Sequence, residues 1–201
     1  MEEDLFKITT YVRIKDCRIL LNGEEVIYDD ASAGNNFLKK AYKGLNIEYP
    51  KFFKMDWLCK LGILATEVLF LGKTPDPDTA LIFSNSRSSL DTDLKHQDSI
   101  AGIVSPAVFV YTLPNIVLGE ISIRQKLQSE NAFFIEKKFN PKLLYDYSTI
   151  LLKTGKAAAV VSGWIDLKND EYDVFLCHIS PEGEIPFSEE NLEHLYYFEN
   201  E

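Results

Sequence analysis

Cys177 and His178 are adjacent in the sequence, and a thiol beside an imidazole is the pairing that nucleophilic catalysis uses. The segment YDVFLCHI around them is apolar and β-prone, which predicts a strand. Successive side chains of a strand point to opposite faces, so this thiol and this imidazole cannot meet. We therefore interpret Cys177 as a core residue. Cys59, on the apolar side of a predicted helix, and Cys17, in a predicted strand, are interpreted as structural as well.

Two polar segments contain atoms suited to holding a metal ion or a phosphate group. The possible metal ligands, all within eight residues, are Asp91, Asp93, His96 and Asp98. Metal-binding loops carry a glycine and a fixed spacing that this segment lacks, so we interpret it as a solvated acidic surface. The serines between Ser84 and Ser89 follow a predicted strand without the glycines of a phosphate-binding loop. We predict no metal and no cofactor.

The chain is acidic, with 21 Lys and Arg against 31 Asp and Glu among 201 residues, which gives a net charge of −10. Repulsion between this charge and a phosphate backbone argues against nucleic acid as a partner. Three widely spaced cysteines without a CxxC pair are typical of reduced thiols. No apolar run is long enough for a signal peptide or a membrane span, so we expect a cytoplasmic protein with a sizeable core of its own.

The first half of the sequence predicts a hairpin, an irregular segment, a buried helix and a strand. Asn22-Gly23 lies between two β-prone runs and is a two-residue turn signal. Residues 31–55 mix Gly, Asn, Lys and Pro with aromatic residues, which favours loops and turns. Asp56 is placed to cap a helix over 57–71, where apolar residues recur at helical spacing. TALIFSN at 79–85 then predicts a strand, followed by a loop or an exposed helix.

The second half alternates helices with apolar strands. Ser105-Pro106 predicts a helix start, and Pro114 separates that helix from a second one ending near Gln128. NAFFI at 131–135 is predicted as a buried strand, and Asn140-Pro141 begins a helix that ends at Gly155. AAAVVSGW and YDVFLCHI are typical of strands buried on both faces, and a short acidic helix follows them. This alternation predicts an α/β sheet.

Residues 105–135, SPAVFVYTLPNIVLGEISIRQKLQSENAFFI, resemble the β-ketoacyl synthase family of the thiolase-like fold. The resemblance is carried by Ser105-Pro106, Leu113-Pro114-Asn115, Gly119, Ile121-Ser122-Ile123-Arg124 and Asn131. Residues 51–69 and 151–166, with Gly163 and Asp166, are similar to two further elements of that family.

The resemblance covers most of residues 50–180 and corresponds to the N-terminal half of a double-length fold. It implies one domain over 1–201, in which 1–50 match poorly and 181–201 form an acidic tail. The implied architecture is an α/β half-fold, with a mixed, roughly five-stranded sheet packed by helices.

The family's nucleophilic cysteine lies at the N-terminus of a buried helix, and that position falls at Lys138 in this sequence. The backbone amides and dipole of such a helix stabilise a thiolate, whereas a lysine amine cannot carry an acyl group as a thioester. The family's two later histidines belong to the half that this sequence does not match. The resemblance therefore implies a ketosynthase-like chain that has lost its catalytic residues.

In related assemblies, a cysteine-less homologue pairs with an active ketosynthase and limits the length of the acyl chain. The resemblance implies that Val108, Phe109, Thr112 and Asn115 lie near the acyl pocket of such a partner. It also implies that the strand with Asn131, Phe133 and Ile135 pairs across the pseudo-dyad. A related half-length family occurs in gene clusters for aryl-polyene or flexirubin-type pigments, and an acyl carrier protein is a further partner to expect.

An argument from packing also favours a partner. A half-fold leaves the second face of its central helix and the edge of its interface strand uncovered, and such surfaces associate. Two other functions stay open at this stage. One is a stand-alone enzyme that binds or transfers acyl thioesters with a different nucleophile, and the other is a homodimer that serves as a scaffold.

Overall fold

The computed structural model describes residues 5–29, 34–102 and 105–197, and within these ranges it contains eight strands and seven α-helices. The strands are β1 (Lys7–Lys15), β2 (Arg18–Leu21), β3 (Glu24–Tyr28), β4 (Thr79–Asn85), β5 (Asn131–Ile135), β6 (Ala159–Lys168), β7 (Glu171–Ser180) and β8 (Ile185–Pro186). The helices are α1 (Gly34–Gly44), α2 (Trp57–Leu69), α3 (Leu90–Ile100), α4 (Pro106–Val110), α5 (Ile116–Gln125), α6 (Pro141–Lys153) and α7 (Glu189–Tyr197). Pro50–Lys54 form a short 3-10 helix.

The strands form one mixed sheet in the order β3-β2-β1-β7-β6-β4-β5, and β8 pairs with β1. β4 is parallel to both β5 and β6, whereas the other pairs are antiparallel. The predicted mixed α/β fold class is confirmed. The sheet has eight strands, however, where about five were expected.

Much of the difference arises at the N-terminus, where a three-stranded meander replaces the predicted single hairpin. The predicted turn at Asn22-Gly23 is present, with φ of 52° and 84°. A second tight turn occurs at Asp16 and Cys17, with φ of 47° and 56°. Cys17 therefore lies in a turn and not in the strand predicted for it. The prediction missed this turn because Asp-Cys lacks the glycine that usually marks one.

The loop predicted for residues 31–55 is wrong, because α1 occupies much of it. The buried residues of α1 include Phe37, Leu38, Ala41 and Tyr42, which recur at helical spacing. The sequence prediction missed this helical spacing because it involves few residues and the rest of the segment is polar. The helix is stabilised by packing of its apolar face, which contributes more than local propensity does in short helices.

Two apolar clusters lie on opposite faces of the sheet. α1, α2 and α5 cover one face, and α6 and α7 cover the other. Successive side chains of β4 alternate between the two clusters: Leu81 and Phe83 enter the first, whereas Ala80 and Ile82 enter the second. The strands β4 and β6 are thus buried on both faces, as their continuous apolar runs predict.

α2 begins and packs as the sequence predicts. The carboxylate of Asp56 caps it by accepting a hydrogen bond from the backbone N of Cys59 at 2.9 Å. Gly62 allows α5 to approach closely, because a Cβ at this position would lie 2.4 Å from Cγ2 of Val117. No helix in the described ranges is both long enough and apolar enough to cross a membrane.

Two expectations about burial and exposure need correction. β5 is the outermost strand at one edge of the sheet, and its side chains are exposed or half-buried rather than buried as predicted. The expectation that a helix face lies uncovered does not hold for α6, because α7 packs beside it. The pairing of β5 with β4 alone explains its exposure, and the apolar residues of α7 explain the cover over α6.

Gly163 of β6 tests the packing of the central strands. A Cβ built at this glycine lies 2.0 Å from the backbone O of Phe175 on β7, so no side chain fits without separating the two strands. We expect Gly163→Ala to lower the free energy of unfolding by about 3 kcal/mol. Urea unfolding followed by circular dichroism measures the change.

Gly119→Ala is the matched control for this substitution. Gly119 is exposed in α5, and a Cβ there meets no atom within 4 Å. Helix propensity then predicts an unchanged or slightly higher stability, by up to about 1 kcal/mol. Equal stability of the two alanine variants would contradict the packing described for β6 and β7.

Candidate functional site

The segment between β5 and α6 contains Lys138, the position that the resemblance assigns to the lost nucleophile. Lys138 is exposed in a bend that precedes α6. The first turn of α6 is capped by Asn140, whose Oδ1 accepts a hydrogen bond from the backbone N of Leu143 at 3.1 Å. The Nδ2 of Asn140 donates to Oε2 of Glu136 at 3.2 Å. An amide side chain therefore occupies a helix N-terminus at which a thiolate would have to be stabilised.

The cysteines at 59 and 177 lie in environments that disfavour a thiolate. Cys177 is fully buried in β7, its Sγ lies 3.4 Å from the backbone O of Ser162, and burial raises the pKa of its thiol far above the usual value. Burial, followed by the charge of Asp56, also raises the pKa of the Cys59 thiol. Both thiols stay protonated at neutral pH, which removes the nucleophilic form.

Cys177 and His178 point to opposite faces of the sheet, so the prediction that they cannot act together is confirmed. Cys177 belongs to the cluster beneath α6 and α7. His178 lies on the other face, where its ring packs edge-on against Phe70 at 5.4 Å. Its Nδ1 is 2.6 Å from Oγ1 of Thr9.

The serine segment after β4 is occupied by internal hydrogen bonds. The backbone N and Oγ of Ser86 each donate to Oδ1 of Asp166 at 2.8 Å. The side chain of Asn85 brackets Ser88, donating to its O and accepting from its N, both at 2.8 Å. These donors therefore do not form an open phosphate cradle. Among the described residues, no three His, Cys, Asp or Glu side chains are grouped so that they could hold a metal ion.

The four residues assigned to a partner's acyl pocket lie on and just after α4. Phe109 is 60% exposed, Asn115 is exposed, and Val108 and Thr112 are half-buried. Asn115 precedes α5 without a capping hydrogen bond from its side chain. The hydroxyl of Ser89 donates to the backbone O of Thr112 and ties this segment to the start of α3.

α3 and α4 together expose an apolar surface that the sequence did not predict. The ring of His96 on α3 lies 5.2 Å from that of Phe109 on α4. Five apolar side chains in these helices and the next turn are at least half exposed, and we name them the α3–α4 patch: Leu94, Ile100, Phe109, Val110 and Leu113. Sequence reasoning missed Leu94 and Ile100 because their neighbours are polar and the segment has no clear period.

The two outer strands of the main sheet path differ in character. β5 carries no charged residue, and Ile135 at its end is 52% exposed. Asn131 is also exposed, while Phe133 is half-buried against the core. β3, at the opposite edge, begins with exposed Glu24 and Glu25. Charges on an edge strand discourage further pairing, so β5 is the edge better suited to it.

No family model and no curated protein matches this sequence. Solved structures do match its fold. "The ishigamide ketosynthase/chain length factor" aligns with a TM-score of 0.62 and 14% identity, over 88% of this chain and 62% of that chain. The ketosynthase ApeO in complex with its chain length factor ApeC, from Xenorhabdus doucetiae, gives a TM-score of 0.61 and 11% identity, over 96% of this chain and 90% of the other. A third match is the ketosynthase and acyl-carrier protein complex AntDE:AntF, with a TM-score of 0.58 and 13% identity, over 87% and 62% of the two chains.

The chain has the fold of ketosynthases and chain length factors. The thiolase-like fold that residues 105–135 implied is thus confirmed. The chain spans less than two thirds of the first and third matched chains but 90% of the second. It therefore has a counterpart of nearly its own length within a ketosynthase and chain length factor complex.

Thiol labelling tests whether the chain contains a reactive cysteine. Cys17 is half-buried, whereas Cys59 and Cys177 are at most 2% exposed. We expect an aromatic disulfide reagent to label Cys17 rapidly in the native protein, and to label Cys59 and Cys177 only after denaturation. Cys17→Ser should abolish the rapid phase, while rapid native labelling of Cys59 or Cys177 would contradict the assignment.

The pH dependence of stability tests the burial of His178. Desolvation, with a smaller effect of Lys73, lowers the pKa of this imidazole to about 4 from 6.5. The unfolded chain takes up a proton below pH 6.5 that the native chain refuses until about pH 4, so stability falls over that range. We expect a loss of about 2 kcal/mol from this group between pH 7.5 and 5.

His178→Asn isolates the contribution, because the asparagine amide can keep the contact with Thr9 but does not titrate. Urea unfolding gives the free energy of unfolding of the native protein and of the variant at each pH. The difference between the two should change by about 2 kcal/mol between pH 7.5 and 5. If the free energies of unfolding of the two proteins changed equally with pH, the burial of His178 would not impede its protonation, and the prediction would be wrong.

Proposed function

We propose that this chain is a non-catalytic, chain-length-factor-like subunit that pairs with an active β-ketoacyl synthase in fatty-acid or polyene-type biosynthesis. The observation that carries the proposal is the alignment with a chain of the ApeO–ApeC complex, over 96% of this chain and 90% of that one. A chain of this fold and nearly this length is thus one component of a complex between a ketosynthase and its chain length factor. The resemblance of residues 105–135 to the synthase family supports the same role.

The chemistry at the start of α6 supports a role without catalysis. Claisen-type condensation on a synthase needs a thiolate to carry the growing acyl chain, and position 138 is an exposed lysine in front of a capped helix. An amine that attacked a thioester would form an amide, which does not release its acyl group to the next carbon nucleophile. The chain would therefore contribute shape and surface, and its partner would contribute the reaction.

Two surfaces among the described residues suit a partner, namely β5 and the α3–α4 patch. Pairing of β5 with a strand of the synthase would satisfy its free backbone groups and extend the sheet across both subunits. Burial of an exposed aliphatic or aromatic side chain contributes about 1.5–3 kcal/mol. In this arrangement Val108, Phe109, Thr112 and Asn115 would line or border the acyl pocket of the synthase. A stable pair of this kind buries on the order of 1,600 Å² or more.

We also propose that the pair works in the cytoplasm with an acyl carrier protein. The three cysteines are thiols and not disulfides, which suits a reducing compartment. Of the matched assemblies, AntDE:AntF contains a carrier protein bound to its ketosynthase. For the product we propose a pigment of the aryl-polyene or flexirubin type, which the resemblance of residues 105–135 to the synthase family implies.

Co-expression with a β-ketoacyl synthase, chosen from the genes that neighbour the gene of this chain, tests this function. We expect a complex of one subunit each on size-exclusion chromatography. Ile135→Asp on β5 and Phe109→Asp on α4 should each weaken the complex at least about tenfold, because each places a charge in a buried apolar contact. Affinity of the purified subunits by calorimetry gives the measurement.

Tyr28→Asp is the matched control. Tyr28 is 48% exposed, close to the 52% of Ile135, but it lies on β3 at the opposite edge of the sheet. Its substitution should leave the affinity unchanged. A chain that stays monomeric beside the synthase, or that forms only homodimers, or an equal loss of affinity in all three variants, would overturn the proposal.

A further inference from the structure

The helices α3 and α4 are attached to the rest of the chain with almost no apolar burial. Of the residues in α3, all of which the structure describes, only Thr92 is buried, and α4 has no buried residue. Neither apolar cluster includes a residue of these two helices. The helices pack on each other, where the ring of His96 contacts that of Phe109. Contacts other than apolar packing must therefore hold them against the core.

A hydrogen bond between Thr92 and Asp56 joins α3 to α2. The Oγ1 of Thr92 donates to Oδ2 of Asp56 at 2.8 Å, while Oδ1 of the same carboxylate caps α2. Thr92 is 6% exposed, so water competes little for this hydrogen bond. Hydrogen bonds to an ionised acceptor are stronger than those between neutral groups. One carboxylate thus fixes the start of α2 and the position of α3.

Tyr111 joins the end of α4 to α5. It directly follows α4, its ring belongs to the first apolar cluster, and its hydroxyl donates to Oε1 of Glu120 at 3.4 Å. Glu120 is 5% exposed, and its Oε2 lies 2.7 Å from Nζ of Lys51. The ion pair with Lys51 fixes the carboxylate that accepts the hydrogen bond. The hydroxyl of Tyr111 therefore attaches α4 to a rigid acceptor.

The chain is held firmly on both sides of this pair of helices. Before α3, the side chain of Asn85, which is fully buried, makes two hydrogen bonds of 2.8 Å with the backbone of Ser88. After α4, the fully buried Val117 of α5 packs directly against Gly62 of α2. Movement of α3 and α4 can therefore leave the sheet, α2 and α5 in place.

Polar attachment has a different consequence from apolar attachment when a segment opens. The hydrogen bonds of Thr92 and Tyr111 are exchanged for hydrogen bonds to water, and little apolar surface becomes exposed. α2, by contrast, buries most of its residues, and its separation from the sheet would expose a large apolar area. Segments with few buried apolar contacts open at the lowest free energy in native proteins.

We propose that α3 and α4 form a unit that opens while the core stays folded, that the Thr92–Asp56 and Tyr111–Glu120 hydrogen bonds hold it closed, and that the synthase binds the closed form. The last step rests on the proposed function, because the α3–α4 patch lies on this unit. A partner that binds only the closed form loses affinity in proportion to the fraction that is open. Thr92 and Tyr111 are then positioning residues, which act on the partner through the shape of the patch.

Hydrogen exchange of the full chain, followed by mass spectrometry without any synthase, tests the opening itself. We expect the amides of α3 to exchange at least about a hundredfold faster than those of α6. Thr92→Val keeps the shape of the side chain but removes the hydroxyl, and should speed the exchange of α3 about tenfold or more. Thr92→Ser keeps the hydroxyl and should restore most of the protection. Exchange in α3 as slow as in α6, or no acceleration in Thr92→Val, would overturn the proposal.

Tyr111→Phe tests the second hydrogen bond, and Tyr196→Phe is its matched control. The hydroxyl of Tyr196 also donates to a carboxylate, that of Asp173 at 2.6 Å, but on the face of the sheet that α6 and α7 cover. Tyr111→Phe should speed the exchange of α3 and α4 at least about threefold, whereas Tyr196→Phe should leave it unchanged. Equal acceleration by both variants would show that exchange in α3 follows overall stability, which contradicts a separate unit.

Binding to the co-expressed synthase tests the positioning role. We expect the double variant Thr92→Val with Tyr111→Phe to bind at least about tenfold more weakly than the native chain by calorimetry, because its unit is mostly open. Tyr196→Phe should bind as the native chain does, and synthase binding should slow the exchange of α3 in the native chain at least about tenfold.

Equal affinity of the double variant and the native chain, together with faster exchange in α3, would show that the synthase does not depend on the closed form. Failure of the native chain to bind any synthase would overturn the proposed function and with it the positioning role. The exchange of α3 without synthase decides the opening in either case, so the two proposals can fail separately.

Discussion

Two-sided burial of β4 and β6 is the constraint on which the rest of the structure depends. All seven residues of β4 are buried, and its side chains enter both apolar clusters. Parallel strands of this kind need helices on both faces and short distances to their neighbours. Gly163 meets the second need, because only a glycine lets β6 lie against the backbone of β7. The helices α2 and α6 pack on the two faces of these central strands. The outer strands of the sheet lie to either side of them.

In this fold the strands that form the core differ from the outer strand that is open to a partner. The centre is closed by its own helices, and α7 adds cover beside α6. The meander at one edge ends in a strand with two glutamates, whereas β5 at the other edge has an apolar end and no charge. Association at β5 would therefore leave the core unchanged, because the backbone groups that a partner would meet are not needed inside the chain.

The sequence predicts the central elements better than the peripheral ones, for physical reasons. Asp56 and Asn140 cap α2 and α6 as predicted, because local hydrogen-bond chemistry decides where a helix begins. The prediction failed at α1, whose polar composition is overridden by packing of Phe37 and Leu38. It also failed at the burial of β5, because strand order is a long-range property that the run NAFFI does not encode.

The start of α6 illustrates a trade between reactivity and stability. A helix N-terminus that activates a thiol must leave its amides and dipole free to stabilise a thiolate. In this chain Asn140 satisfies one of those amides, and such a cap stabilises a fold by about 1 kcal/mol. If the partner subunit carries the reaction, a free helix end has no use here, and capping it only adds stability. The exposed Lys138 and the capped first turn would therefore suit the non-catalytic subunit proposed above.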